Sequence, residues 1–124
     1  MPILEAATRS AACDAIVDLI DAGGAGTLVF ETAGDVAVAT ITLSATAFGA
    51  AASGVATLAG TPLSDTNATG NASPVAQASF FSGAATKILE CSVAVSGSDI
   101  NLSSLTVGAG DTVTLSSLTL TVPA

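Results

Sequence analysis

The most regular pattern of hydrophobic and polar positions lies in residues 101–123, where apolar residues alternate with Ser and Thr. A period of two predicts strands with one dry and one wet face. Gly108-Ala109-Gly110 separates two such runs and has the backbone freedom that a tight reversal needs, so we predict a β-hairpin. A Ser pair in each arm shifts the alternation by one residue, which a bulge or bend must absorb. Strands bend in this way between two packed sheets, so the pattern favours a small β-sandwich.

Helical spacing of apolar residues occurs instead in residues 10–22, with a predicted start between Glu5 and Ser10 and a stop at Gly23-Gly24. Its apolar positions form one stripe. We expect this stripe to face the core, and it consists of Ala12, Ala15, Ile16, Leu19 and Ile20.

Three acidic residues, Asp14, Asp18 and Asp21, lie in a narrow stripe opposite the apolar one at 100° per residue. Repulsion between neighbouring turns and the helix dipole both disfavour this arrangement in an isolated helix. The pattern favours a solvated acidic face. The alternative is that the stripe docks on a basic surface of a partner.

Residues 61–74 are predicted to form a polar loop. Further strands, separated by short glycine-containing turns, are expected both before and after this loop. In the last of them, Leu89, Cys91, Val93 and Val95 share the predicted dry face. The predicted strand segments before the C-terminal hairpin are 27–32, 36–43, 75–81 and 86–95, and residues 47–59 are predicted to form a strand, a glycine loop and a second strand.

The predicted fold class is therefore mainly β: a small, jelly-roll-like β-sandwich of about seven to nine short antiparallel strands with one N-terminal α-helix. The whole chain, 1–124, is expected to be a single domain. Within it we assign an N-terminal arm or helix start to residues 1–9, the helix to 10–22 and the sandwich to 27–122.

Composition restricts the possible partners. Apolar residues make up 50% of the chain, but many are Ala and aromatics are only 3%, so the core is thin and gains from burial against a neighbouring subunit. The net charge of −8 sets ten acids against Arg9 and Lys87. Binding to nucleic acid or to an anionic membrane needs many cations, so both are excluded, whereas a basic protein partner is permitted.

Catalytic chemistry finds no support in the sequence. There is no His to serve as a base or zinc ligand, and the acids are spread singly, so no carboxylate pair can be argued. Cys13 and Cys91 are interpreted as small buried residues, with a disulfide as the alternative. Residues 65–70 match the first half of a calcium loop, but Ala76 stands where Glu is needed, which favours a polar turn. We expect neither an enzyme nor a cofactor.

Four segments carry a resemblance to a known family: AATRSAACDAIVDLIDAGGAGTL, TLSATAFGAAASGVATLAG, DTNATGNAS and GSDINLSSLTVGAGDTVTLSSLTLTVPA. Together they resemble small virion structural proteins of tailed bacteriophages along nearly the whole chain. The resemblance implies a capsid decoration (cement) protein, made in the host cytoplasm and bound to the outer surface of the capsid. Its implied partners are the major capsid protein and copies of itself, as a dimer or trimer. Some relatives are labelled tail or fibre proteins, so a tail-associated or receptor-binding module is the alternative. A bacterial binding domain unrelated to any virus is a third.

Contact with a partner is expected at the acidic helix stripe, at the N-terminal arm, residues 2–9, and at the loop of residues 61–74. The candidate partner-docking residues are Asp14, Asp18, Asp21, Arg9, Asp65 and Asn67.

Overall fold

The computed structural model describes residues 2–123, which form a mainly β domain with one helix and nine short strands. The helix is α1 (Ala6–Ile20). The strands are β1 (Thr27–Thr32), β2 (Ala37–Thr42), β3 (Val55–Thr57), β4 (Leu63–Asp65), β5 (Val75–Phe81), β6 (Lys87–Ala94), β7 (Ile100–Asn101), β8 (Val113–Leu115) and β9 (Thr119–Thr121).

A curled five-stranded sheet has the order β2-β1-β5-β6-β7, and two further sheets pair β3 with β9 and β4 with β8. The first hairpin, β1 with β2, is confirmed, with Thr27 opposite Thr42 and a reversal around Gly34 and Asp35. The β5–β6 pair is antiparallel as well. The expectation of antiparallel strands fails at β7, which runs parallel to β6.

The predicted C-terminal hairpin is wrong, because its segments pair with other parts of the chain. β8 pairs with β4 and β9 with β3. Ahead of β8, Leu105 O accepts a hydrogen bond from Val75 N, and Val107 O accepts one from Asn71 N. The turn between the two arms bonds to Ala68, whose N–H donates to Asp111 O and whose carbonyl accepts from Gly110 N. Alternation had identified the faces of these strands, but it carries no information about their partners.

The predicted loop at residues 61–74 is more ordered than its polar composition suggested. It contains β4 and is tied to β2 by a hydrogen bond from Gly70 N to Val38 O. Gly70 has a φ of +75°, and a Cβ atom there would lie 2.5 Å from the carbonyl carbon of Gly108. Glycine is required here by both the backbone conformation and the close approach of the two segments.

The core is a single cluster of aliphatic side chains with three of the four Phe residues fully or almost fully buried. The rings of Phe48 and Phe80 lie 5.8 Å apart at a tilt of 53°. Cys13 is buried, as expected, whereas Cys91 is half-buried, and both thiols are free. The predicted dry face of β6 extends to Val93 but not to Val95, which is 61% exposed.

The helix begins within the predicted interval, directly after Glu5, but it is rotated relative to the prediction. Its buried residues are Cys13, Val17 and Ile20. Of the predicted core stripe only Ile20 is buried, and Leu19 is 54% exposed. The rest of the predicted stripe is half-buried at Ala12 and Ile16 and exposed at Ala15 and Leu19.

Candidate docking surfaces

The polar side of α1 faces the protein and binds the backbone of residues 47–54. Asp14 Oδ1 accepts from Ala51 N at 2.8 Å, and Asp21 Oδ1 accepts from Ala47 N at 2.9 Å. Ser10 Oγ accepts from Gly54 N at 3.0 Å.

These three acceptors explain the rotation of the helix. A buried or half-buried N–H without a partner costs roughly 1–3 kcal/mol, so a segment with little regular structure needs acceptors from elsewhere. α1 supplies them at positions 10, 14 and 21, which share a face with Cys13 and Val17. The opposite side of the helix includes Ala11, Ala15 and Leu19, which are exposed.

Arg9 and Asp18 complete the set predicted on the helix. Arg9 Nη1 donates to Ser53 O at 3.2 Å, so the arginine contacts the same segment as Asp14 and Asp21. Asp18 is exposed. Asp14, Asp21 and Arg9 therefore have a role within the fold. Docking of the acidic stripe on a partner stays a prediction. A substitution at Asp18 tests it best, because this side chain is exposed.

Asp65 and Asn67, the other two predicted docking residues, lie next to the edge of β2. Asp65 Oδ2 accepts from Thr40 N at 2.9 Å, and Asp65 Oδ1 accepts from Asn67 N at 2.9 Å. The Asp65 carboxylate therefore links β4 to β2 and shapes the turn that follows it. Asn67 is exposed.

A second group of acids, which sequence reasoning missed, lies on one face of the central sheet. Carboxylate oxygens of Glu31, Asp35 and Glu90 lie within 4.8 Å of one another. The expectation that the acids are isolated is therefore wrong. Pairing of β1, β5 and β6 brings them together, so no spacing along the chain could have revealed them.

Two neutral polar side chains and one lysine contact this group. Glu31 is only 7% exposed, and its Oε1 accepts from the buried Ser79 Oγ at 2.5 Å. Gln77 Nε2 donates to Asp35 Oδ1. Lys87 Nζ lies 2.6 Å from Glu90 Oε2, and this hydrogen bond, with the charges of Glu90, Glu31 and Asp35, raises the pKa of the lysine. The ammonium pairs directly with one of the three carboxylates, that of Glu90.

A groove of about 430 Å³ runs between residues 101–107 and residues 111–116. Among the described residues, β7 pairs only with β6 and β8 only with β4, so each strand has an edge without a strand partner. The buried side chains of Leu102, Val107 and Val113 contribute to the groove lining, and exposed Ser and Thr residues form much of the rest. Open strand edges of this kind accept an added extended segment.

A second cavity, of about 390 Å³, is lined by Phe48, Phe80 and Cys91, among others. Burial, together with the charges of Asp99 and Glu90, raises the pKa of the Cys91 thiol to about 11. The thiolate is the nucleophilic form, so this cysteine is poorly reactive at neutral pH.

Exposed apolar side chains concentrate at the N-terminus. Of the five large hydrophobic residues with substantial exposure, three belong to α1 or the segment before it: Ile3 at 75%, Leu4 at 41% and Leu19 at 54%. Exposed Ala11 and Ala15 share the outward side of the helix with Leu19.

No family model, curated protein or solved structure matches this chain. Over residues 2–123, no helix has both the length and the apolar character needed to cross a membrane.

Proposed function

We propose that this protein is a non-enzymatic decoration (cement) protein of a tailed bacteriophage, which binds the exterior of the assembled major capsid protein shell as a homo-oligomer and stabilises it. The resemblance of four segments spanning nearly the whole chain supports this proposal. The net charge of −8 favours the outer surface, because packaged DNA would repel the protein from the inner one.

The structural observation that carries the proposal is the groove between residues 101–107 and 111–116, whose lining includes residues of β7 and β8, two strands that each have an edge without a strand partner in the described chain. A strand from the shell protein inserted there would bond to the main chain on both sides, which gives affinity without a deep pocket. The Ser and Thr side chains along the rim suit such backbone recognition.

Stabilisation would follow from mass action. A ligand that binds the assembled shell and not its dissociated subunits adds about 2.7 kcal/mol per site when its free concentration is 100 times Kd. Many equivalent sites on a lattice multiply this effect, so no catalytic chemistry is needed.

The proposal includes a sandwich arrangement for the fold. The two small sheets would form a second layer over the central sheet, as in a jelly roll. Buried residues from both parts support this, since Ala56 and Leu115 belong to the same core cluster as Phe30 and Phe80.

The test compares shells with and without this protein. We expect a lower shell melting temperature in its absence and recovery when purified protein is added back. Thr112→Trp fills the groove and should abolish the recovery. Thr86→Trp is the matched control, because Thr86 is also exposed but lies outside the groove, in the β5–β6 turn.

Recovery by the Thr112→Trp variant would refute the groove as the docking site. An unchanged melting temperature, together with a particle map that places the protein on the tail, would replace decoration with the tail or fibre alternative. Asp18→Asn tests the acidic stripe separately, and unchanged shell binding would exclude this residue from docking.

A further inference from the structure

The outward side of α1 is an uncharged and mainly apolar surface, on which four of six residues are exposed and two, Ala12 and Ile16, are half-buried. We define the α1 outer face as six residues that lie within about 140° of arc at 100° per residue. Leu19 is 54% exposed, and none of the six is charged. The six residues are Thr8, Ala11, Ala12, Ala15, Ile16 and Leu19.

We propose that the α1 outer face binds the same face of a second copy of this chain, as an antiparallel, two-fold symmetric helix pair. This inference deepens the proposed assembly into homo-oligomers by assigning the surface that forms it. It does not depend on the shell as a partner.

Charge selects the second copy over other occupants. The face has no acid to pair with a basic protein and no cation to pair with an acidic one. An uncharged apolar surface of matching shape is the complement it fits, and an identical copy provides one. Two chains of charge −8 repel, so they can meet closely only where acids are absent, as on this face.

Side-chain sizes are complementary in one antiparallel register. In a two-fold interface, residue i contacts residue j of the partner, and j contacts i. When Leu19 lies opposite Thr8 of the second copy, Ile16 lies opposite Ala11 and Ala15 opposite Ala12. Each large side chain then meets a small one, which allows close helix packing.

The acids on the flank of the helix do not oppose this register. Each Asp18 is offset by nine residues from its copy, or about 13 Å along the axis at 1.5 Å per residue. That separation exceeds the Debye length of about 10 Å at 0.1 M salt, so the repulsion is largely screened. Asp14 and Asp21 point to residues 47–54 of their own chain.

The area of the face sets the expected affinity. A standard interface buries about 800 Å² per partner, more than one helix of about 22 Å in length offers. Exposed Ile3 and Leu4, which are separated from α1 by Glu5, can add to the contact. We therefore expect a reversible dimer that half-dissociates between roughly 1 and 100 µM.

Sedimentation equilibrium of the full chain from about 1 µM to about 1 mM tests the inference. Ala15→Glu places an unpaired charge at the centre of the interface and should weaken association by at least about tenfold. Ala72→Glu, at an exposed loop position outside α1, gives the same net charge and should change the dimer dissociation constant less than about twofold. Circular dichroism is used to check that each variant is folded. Leu19→Ala is a second variant and should weaken the dimer less than Ala15→Glu does.

A size swap tests the register. Ala11→Ile should clash with Ile16 of the second copy and weaken the dimer, and the double variant Ala11→Ile/Ile16→Ala should restore it. A monomer at 1 mM, a trimer, or a dimer insensitive to Ala15→Glu would overturn the inference. Because no shell is present, failure here is distinguishable from failure of capsid binding.

Discussion

The central sheet and the C-terminal quarter of the chain both contain short strands, but their strands pair in different ways. β1 and β2 pair across a short turn, and so do β5 and β6. In the C-terminal quarter, β8 and β9 each pair over three residues with strands that lie far away in sequence.

This difference shows what a turn contributes. The reversals at residues 33–36 and 82–86 carry bonds between the strands they join, such as Thr32 N to Val36 O and Ser82 N to Thr86 O. The reversal at residues 108–111 bonds to Ala68 as well as to itself, so it connects two segments instead of closing a hairpin. Long-range contacts of this kind should make the C-terminal quarter depend on the loop of residues 61–74.

The largest predicted effect tests that dependence. Gly70→Ala introduces a Cβ 2.9 Å from the Cα of Ala109, at a φ of +75°. We expect the free energy of unfolding to fall by about 2–5 kcal/mol from overpacking and backbone strain together. Gly97→Ala is the control, because its φ is +74° with open space around the new Cβ, and it should cost about 1–2 kcal/mol. Equal midpoints in urea for the two variants would contradict the close packing.

The next prediction compares the cores of the two regions. Leu115 of β8 and Ile41 of β2 are 4% and 0% exposed. Leu115→Ala and Ile41→Ala should each lower the free energy of unfolding by about 2–5 kcal/mol, measured by urea denaturation. A cost below about 1 kcal/mol at Leu115 alone would mean that the C-terminal quarter is not packed into the shared core.

A smaller loss of unfolding free energy is expected where a side chain, and not a neighbouring strand, accepts a backbone hydrogen bond. Asp14→Ala removes the acceptor for Ala51 N and should cost about 1–3 kcal/mol, with faster hydrogen exchange of the Ala51 amide. Asp14→Asn keeps an acceptor oxygen and should cost less. Asp18→Ala, at an exposed position on the same helix, should be within about 0.5 kcal/mol of wild type. Unchanged exchange at Ala51 in Asp14→Ala would disprove the contact.

The smallest effect measures the β4–β8 register directly. The hydroxyl oxygens of Ser64 and Thr114 lie 2.8 Å apart across the two strands. A double-mutant cycle to alanine should give a coupling energy of about 0.2–1 kcal/mol. Pairing Ser64 with Thr119 of β9 serves as a control, because these residues belong to different sheets. No coupling between Ser64 and Thr114 would argue against the register.

Among the acidic residues, the sequence predicted arrangements that depend on one helix. It did not predict contacts between segments that are distant along the chain. It identified Asp14, Asp18 and Asp21 as one stripe of α1, and this follows from helical geometry alone. It could not show that backbone N–H groups of residues 47–54 need hydrogen-bond acceptors, or that two of these three carboxylates, Asp14 and Asp21, supply them. The carboxylates of Glu31 and Glu90 became neighbours only through sheet register, which the spacing of residues along the chain does not encode.

The sequence alone determined that the chain is mainly β with one N-terminal helix and that β1 and β2 form a hairpin, because periodicity and turn residues act over a few positions. Tertiary structure decided which strands pair with β7, β8 and β9, and which side of α1 faces the core. Those choices depend on pairing every buried N–H and C=O with a partner, and that condition is satisfied across the whole fold at once.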